Sequence, residues 1–240
     1  MAAEATPALL YLPGLPEPGV RFDLAEADAH YVARVCRARA GELLEATDGR
    51  GARAVLRLIE VRRGVVVEIE GIAHEPVGRS SWLICGAPEG ERADWLVEKL
   101  AELGVGRFLP VNTVRGGWKP TAGRRARWGR LAIAALRQAR RTHLMAIAEP
   151  MPLLEALTAL PPGGGRWLAD ESGAGAGSST DPTAVDRAIG LIGPSGGLEA
   201  GERQAAIDIG FRPLRLSDAR LRTETAALAW AAWWSAGGAA

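Results

Sequence analysis

The sequence predicts a two-part α/β protein: a small barrel of short strands, then a larger domain in which strands and helices alternate. Three observations carry this. Period-two alternation fills the first third of the chain. Strand-like and helix-like runs then take turns after Glu75-Pro76-Val77-Gly78, and a glycine loop, Gly193–Gly197, joins a predicted strand directly to a predicted helix.

Between Arg21 and about Gly71 the runs Gly41–Thr47, Ala52–Val61 and Val65–Glu70 alternate apolar and polar residues, and Asp48-Gly49 separates the first two. Asp-Gly between alternating runs is a strong hairpin signal, because glycine supplies the positive φ of a tight turn. A helix-like piece, Glu26 to Arg37, interrupts these strands. This first region is assigned to residues 1–75 and the second to 76–240. In the second, strands are expected at Ser81–Gly86, Arg107–Val111, Arg166–Ala169, Ala188–Ile192 and Pro213–Leu216. Helices are expected at Arg92–Leu103, Arg124–Arg141, Glu199–Ile209 and Thr223–Ser235. That order implies a mainly parallel sheet.

At 240 residues the chain is long enough to bury a sizeable core, and its net charge of +1 favours no partner class. Cys36 and Cys85 stand alone, as reduced core residues of a cytosolic protein do. His30, His74 and His143 have no companion at ligand spacing, so no metal site is expected. The proline-broken N-terminus lacks the basic start of a signal peptide. The longest uncharged apolar run, Thr225 to Ala240, falls short of the roughly 20 residues a membrane span needs. A soluble, cytoplasmic protein is expected.

Charge distribution says more than charge sum. From Leu103 to Ala148 there is no Asp or Glu, where an average of 28 acids in 240 residues would place about five. The segment carries ten cations. On its helix Trp128, Leu131, Ala132, Ala135 and Leu136 share one face, while Arg130, Arg137, Arg140 and Arg141 project from the other. A packed face opposite a cationic one is the footprint of a polyanion surface. The alternative is a solvated helix whose charges are met by acids from elsewhere.

Of three glycine clusters, one points to a ligand. Gly163–Gly165 reads as a turn. Gly173-Ala-Gly175-Ala-Gly177 leads into Ser178-Ser-Thr-Asp-Pro182 rather than a helix, and reads as a flexible loop. Gly193-Pro-Ser-Gly-Gly197 follows a strand and precedes a helix with Glu202 in its first turns, so ligand atoms can approach bare backbone there. Further on, Leu216 to Ala226 passes from a strand end through a polar loop into a helix that Thr223 or a neighbour caps and Glu224 favours. Two such loops at parallel strand ends predict a ligand crevice.

The run Gly193 to Leu198 resembles the Gly-Pro-Glu-Gly-Gly-hydrophobic loop of the RsmE-like uridine-N3 methyltransferases of small-subunit ribosomal RNA, in the SPOUT superfamily. Leu221 to Ala226 is similar to that family's Leu-Arg-x-Glu-Thr-Ala run. Glu102-Leu-Gly-Val105, Pro110, Arg115, Gln138 and Arg141 follow its upstream series, and His30, Arg34 and Arg37 its N-terminal signature. The resemblance implies an N-terminal PUA-like β-barrel for RNA and a C-terminal α/β SPOUT domain with a deep trefoil knot. It also implies a homodimer, and S-adenosylmethionine as methyl donor. By the family pattern the donor lies among Leu168, Ala169 and Glu171, then Ile192, Gly193, Ser195, Gly196 and Gly197, then Leu216, Ser217, Leu221 and Arg222. Five positions depart from the pattern: Val114, Arg137 and Ser195 replace acids, Ser217 a glycine and Ala219 an arginine.

The activity so implied is methylation of uridine N3 in 16S ribosomal RNA. Uracil N3 is a poor nucleophile until it loses its proton, which gives Glu224 the role of orienting or accepting that proton. Arg222 would stabilise the uracil anion or hold a phosphate. His30, Arg34, Arg37, Arg115, Lys119 and Arg141 are expected to grip RNA. Two other readings stand beside this one: an RNA-binding protein of the same fold without transfer activity, and a methyltransferase of the same superfamily acting on another RNA or base atom.

Overall fold

The structure is a computed structural model of the chain, describing residues 8–62, 64–119, 121–176 and 184–237. It divides into two compact units, residues 1–77 with 136–144, and residues 78–135 with 145–240.

The first unit is built on a five-stranded sheet. β1 (Leu9–Tyr11) runs parallel to β3 (Leu43–Thr47), while β3, β4 (Ala52–Val61), β5 (Val65–His74) and β2 (Arg21–Asp23) pair antiparallel, giving the order β1-β3-β4-β5-β2. The Asp-Gly turn forms where expected. Asp48 Oδ1 accepts the amides of Arg50 and Ala52 at 2.7 and 3.0 Å, and Gly49 adopts φ 74°. The inward residues of the alternating strands, among them Leu44, Leu56, Leu58, Val67 and Ile69, form the core with Val32. The expected Glu26–Arg37 helix is shorter and irregular. α1 (Glu26–His30) passes into a π-helical turn, Tyr31–Val35, and Arg37 at φ 54° ends it.

The second unit holds an all-parallel sheet. β6 (Ser80–Cys85), β7 (Arg107–Asn112), β8 (Ala146–Ile147), β10 (Gly165–Gly175), β11 (Arg187–Ile192) and β12 (Arg212–Arg215) stand in the order β12-β10-β11-β6-β7-β8, with β9 (Met151–Pro152) also on β7. β6 and β11 are central, and both read as near-continuous apolar runs because both faces are covered. The helices are α2 (Ala93–Glu102), α3 (Ala122–Gln138), α4 (Leu153–Thr158), α5 (Ala200–Asp208) and α6 (Thr223–Ala236). Gly190 lets α6 come onto β11, since a Cβ there would lie 2.5 Å from the Trp230 ring.

The structure corrects one glycine reading. Gly173 and Gly175 are not loop residues but the end of β10, which pairs with β12 on both sides of a bulge: Ala169 and Ala174 each stand opposite Leu214. Gly173 is required there, because a Cβ would lie 2.5 Å from the Leu214 amide nitrogen. Gly177 to Thr180, the rest of the expected loop, lie outside the described residues, as do residues 1–7 of the N-terminus and the last three of the apolar C-terminal run.

Candidate functional site

The bulge within β10, the loop after β11 and the loop after β12 lie on neighbouring strands, and together they line a cavity of about 510 Å³. Of the residues expected around a donor, Leu168, Ala169, Glu171, Ile192, Gly193, Ser195, Gly197, Leu216, Ser217, Leu221 and Arg222 line it. Gly196 does not; its carbonyl instead accepts Arg115 Nη1 at 3.3 Å. The departures Ser195, Ser217 and Ala219 all face this space.

Close packing fixes the loop after β11. A Cβ on Gly86 would lie 2.4 Å from the Pro194 nitrogen and one on Gly116 2.9 Å from the Pro194 Cβ, so both positions need glycine. Gly197 turns at φ 75°. Glu199 and Glu202 then form a capping box at the start of α5, each side chain accepting a backbone amide at or near the other residue.

Thr223 or a neighbour was expected to cap α6, and the structure gives that place to the neighbour. Arg222 holds the N-cap position of α6 without a side-chain cap, and Thr223 Oγ1 instead donates to the Gly193 carbonyl at 3.1 Å. One hydroxyl thus ties the start of α6 to the glycine loop after β11. Glu224 is 1% exposed and faces the cavity. Arg92 Nη1 lies 2.9 Å from its Oε1, within ion-pair range but off the direction of a hydrogen bond, so this oxygen has no donor. Burial, with the nearby Glu224 charge, drives the Cys85 thiol's pKa far up and leaves it unreactive. Arg222 is exposed at the cavity's edge.

Asp170, inside the expected donor stretch 168–171, and Arg203, which the sequence did not single out, pair at 2.7 Å in the cavity wall. Burial raises the Asp170 pKa, but hydrogen bonds from Ser172 and Arg203 outweigh it and hold the carboxyl below its ordinary value. The position of Asp170 beside a strand end was a usable signal. Arg203, on an unremarkable helix, had none.

The residues expected to grip RNA fall in two groups. His30, Arg34 and Arg37, all exposed, and the part-buried Arg141 belong to the first unit; Arg115 and Lys119, both exposed, belong to the second. The broad cationic face is corrected toward the alternative reading. Arg125 pairs with Glu149, Arg127 with Asp94 and Arg140 with Glu45, while Arg137 donates to the Leu9 carbonyl and stacks on the Tyr31 ring. Acids and acceptors distant in sequence meet these charges. Among the described residues no group of His, Cys, Asp and Glu is placed to hold a metal.

Residues 75–235 match the family model described as the RNA methyltransferase domain, and residues 24–70 that of the RNA methyltransferase PUA domain. The chain is 27% identical over 215 residues to the ribosomal RNA small subunit methyltransferase E of Synechocystis sp., covering 85% of this chain and 69% of that protein. With its namesake from Mycobacterium tuberculosis the identity is 26% over 230 residues, 91% of this chain and 87% of that one. The crystal structure of the Neisseria gonorrhoeae ribosomal RNA small subunit methyltransferase E bound to S-adenosyl methionine superposes with a TM-score of 0.83 at 28% identity, covering 94% and 95% of the two chains. A probable rRNA-methyltransferase from Porphyromonas gingivalis gives 0.79 at 27%, covering 94% and 96%.

Proposed function

The chain belongs to the RNA methyltransferase domain family, and on that premise we propose that it transfers the methyl group of S-adenosylmethionine to N3 of a uridine in 16S ribosomal RNA. The observation that carries this reading is the cavity between the β10 bulge and the ends of β11 and β12, bridged by the Thr223–Gly193 hydrogen bond and walled on one side by the buried Glu224.

The residues present suit the donor. About 510 Å³ is within the range of sites that bury a small molecule. Leu168, Ile192, Leu198 and Leu214 offer apolar wall for a purine, the loop after β11 offers bare backbone, and Asp170 is an ionised acceptor for hydroxyl or amine groups. When bound, S-adenosylmethionine supplies a methyl group already activated on a sulfonium. The protein's own task is therefore positioning and proton handling. Glu224 accepts or orients the N3 proton, using the oxygen that has no donor, and Arg222 offsets the charge that develops on the uracil. His30, Arg34, Arg37, Arg115, Lys119 and Arg141 hold the RNA backbone.

In this reading the protein works in the cytoplasm as a homodimer, and the second unit carries the deep knot of its superfamily; the family resemblance supports all three. No helix among the described residues is long and apolar enough to cross a membrane. Calorimetry with S-adenosylmethionine tests the donor site. Saturable binding is expected, and Ala169→Phe, which fills the cavity, abolishes it. No heat of binding to the wild-type protein at about 1 mM ligand, the edge of weak affinity, overturns the proposal.

A further inference from the structure

The turn Thr113–Gly116 and the loop after β11 are locked together by one carboxylate that touches neither ligand space. Glu202 is 8% exposed, and both of its oxygens are used: Oε1 accepts the Val114 amide and Oε2 the Glu199 amide, each at 2.9 Å. Around it the two segments are in tight contact. Arg115 donates to the Gly196 carbonyl at 3.3 Å and to Glu199 at 3.4 Å, and a Cβ on Gly196 would sit 3.1 Å from the Arg115 Cβ. On one side this block supplies cavity wall through Gly193, Pro194, Ser195 and Gly197. On the other it faces solvent, with Val114 72% exposed and the Arg115 side chain 51% exposed.

We propose that Glu202 is a positioning residue: it fixes the solvent-facing turn that carries Arg115 to the glycine loop, so that filling the cavity and gripping RNA favour the same arrangement of both. The inference rests on the methyltransferase reading above. Two ligands that each order one half of a shared block bind with positive coupling, and the coupling is reciprocal. Packing and the Arg115 hydrogen bonds hold the two segments side by side, and the buried carboxylate adds the bond to the Val114 amide that fixes the turn itself.

Two variants isolate the carboxylate. Glu202→Gln keeps the shape but turns an NH2 group toward one of the two amides, leaving that N–H without an acceptor. Val114→Pro removes the Val114 N–H alone, and it does so at the second position of a turn closed by hydrogen bonds between Thr113 and Gly116, where proline is well accommodated. Binding of a 16S ribosomal RNA transcript is measured with and without saturating S-adenosylhomocysteine. The wild-type protein is expected to bind RNA about fivefold or more tightly when that ligand is present. In both variants the factor falls to about one, while affinity for S-adenosylhomocysteine alone stays within about twofold. An undiminished factor in either variant overturns the inference. So does a wild-type protein that binds S-adenosylhomocysteine by calorimetry yet shows no coupling, an outcome that leaves the methyltransferase reading standing. A wild-type protein that does not bind S-adenosylhomocysteine at all overturns both.

Discussion

At Thr223 a single hydroxyl decides how two loops meet. Thr223→Val keeps the side-chain shape and leaves the Gly193 carbonyl without its donor. An unmade hydrogen bond at a buried group costs about 1–3 kcal/mol, so S-adenosylmethionine affinity falls on the order of tenfold by calorimetry. Unchanged affinity contradicts the loop bridge. Glu224→Gln separates proton handling from binding: kcat falls about 100-fold or more while donor affinity holds, as expected for a group that accepts a proton in the transition state. Equal losses in both would make Glu224 a structural acid. At this scale residue types were legible and partners were not. The sequence places Thr223 and Glu224 at a helix start, but the acceptor of Thr223 is thirty positions upstream, and Arg92, the ion-pair partner of Glu224, lies in another element altogether.

Elements built on a local period were legible for the same reason that they form. The parallel strands β6, β7, β11 and β12, the helices α2, α5 and α6, and the Asp-Gly hairpin all stand within a few residues of expectation. What escaped depends on neighbours in space. β10 runs on through Gly173 because β12 lies beside it and the bulge needs a residue without a Cβ. Segment Leu136–Leu144 packs with the first unit through Arg140 on Glu45, Arg53 on the Arg140 carbonyl, and Thr142 on Glu75, contacts that no local pattern announces. This junction makes a pH prediction. The Thr142 hydroxyl, aided by Arg53 and opposed by burial, holds the Glu75 pKa below its ordinary value. A depressed carboxyl stabilises the fold above its unfolded value of about 4.3, and that contribution is lost as pH falls through the lowered value. The melting temperature should therefore drop on acidification below about pH 4, and less so in Glu75→Gln. An identical acid limb in the variant contradicts the assignment.

Across the whole chain a crevice beside the loops after β11 and β12 could be read from order and context, because loops at parallel strand ends are where such sheets bind ligands, whereas the return of residues 136–144 to the first unit could not. Neither could the polyanion surface. A stretch without acids looked cationic, yet Asp94, Glu45 and Glu149 come from outside it and neutralise much of it. The exposed cations open to a polyanion are therefore fewer than the sequence suggested, with Arg34, Arg37 and Lys119 among them. The central claim concerns the product. Small ribosomal subunits from a strain lacking this gene, incubated with the protein and methyl-deuterated S-adenosylmethionine, are digested to nucleosides and analysed by mass spectrometry. The account predicts deuterated N3-methyluridine with the wild-type protein and its loss with Glu224→Gln. The label appearing on another base or another atom, or not appearing at all, contradicts it.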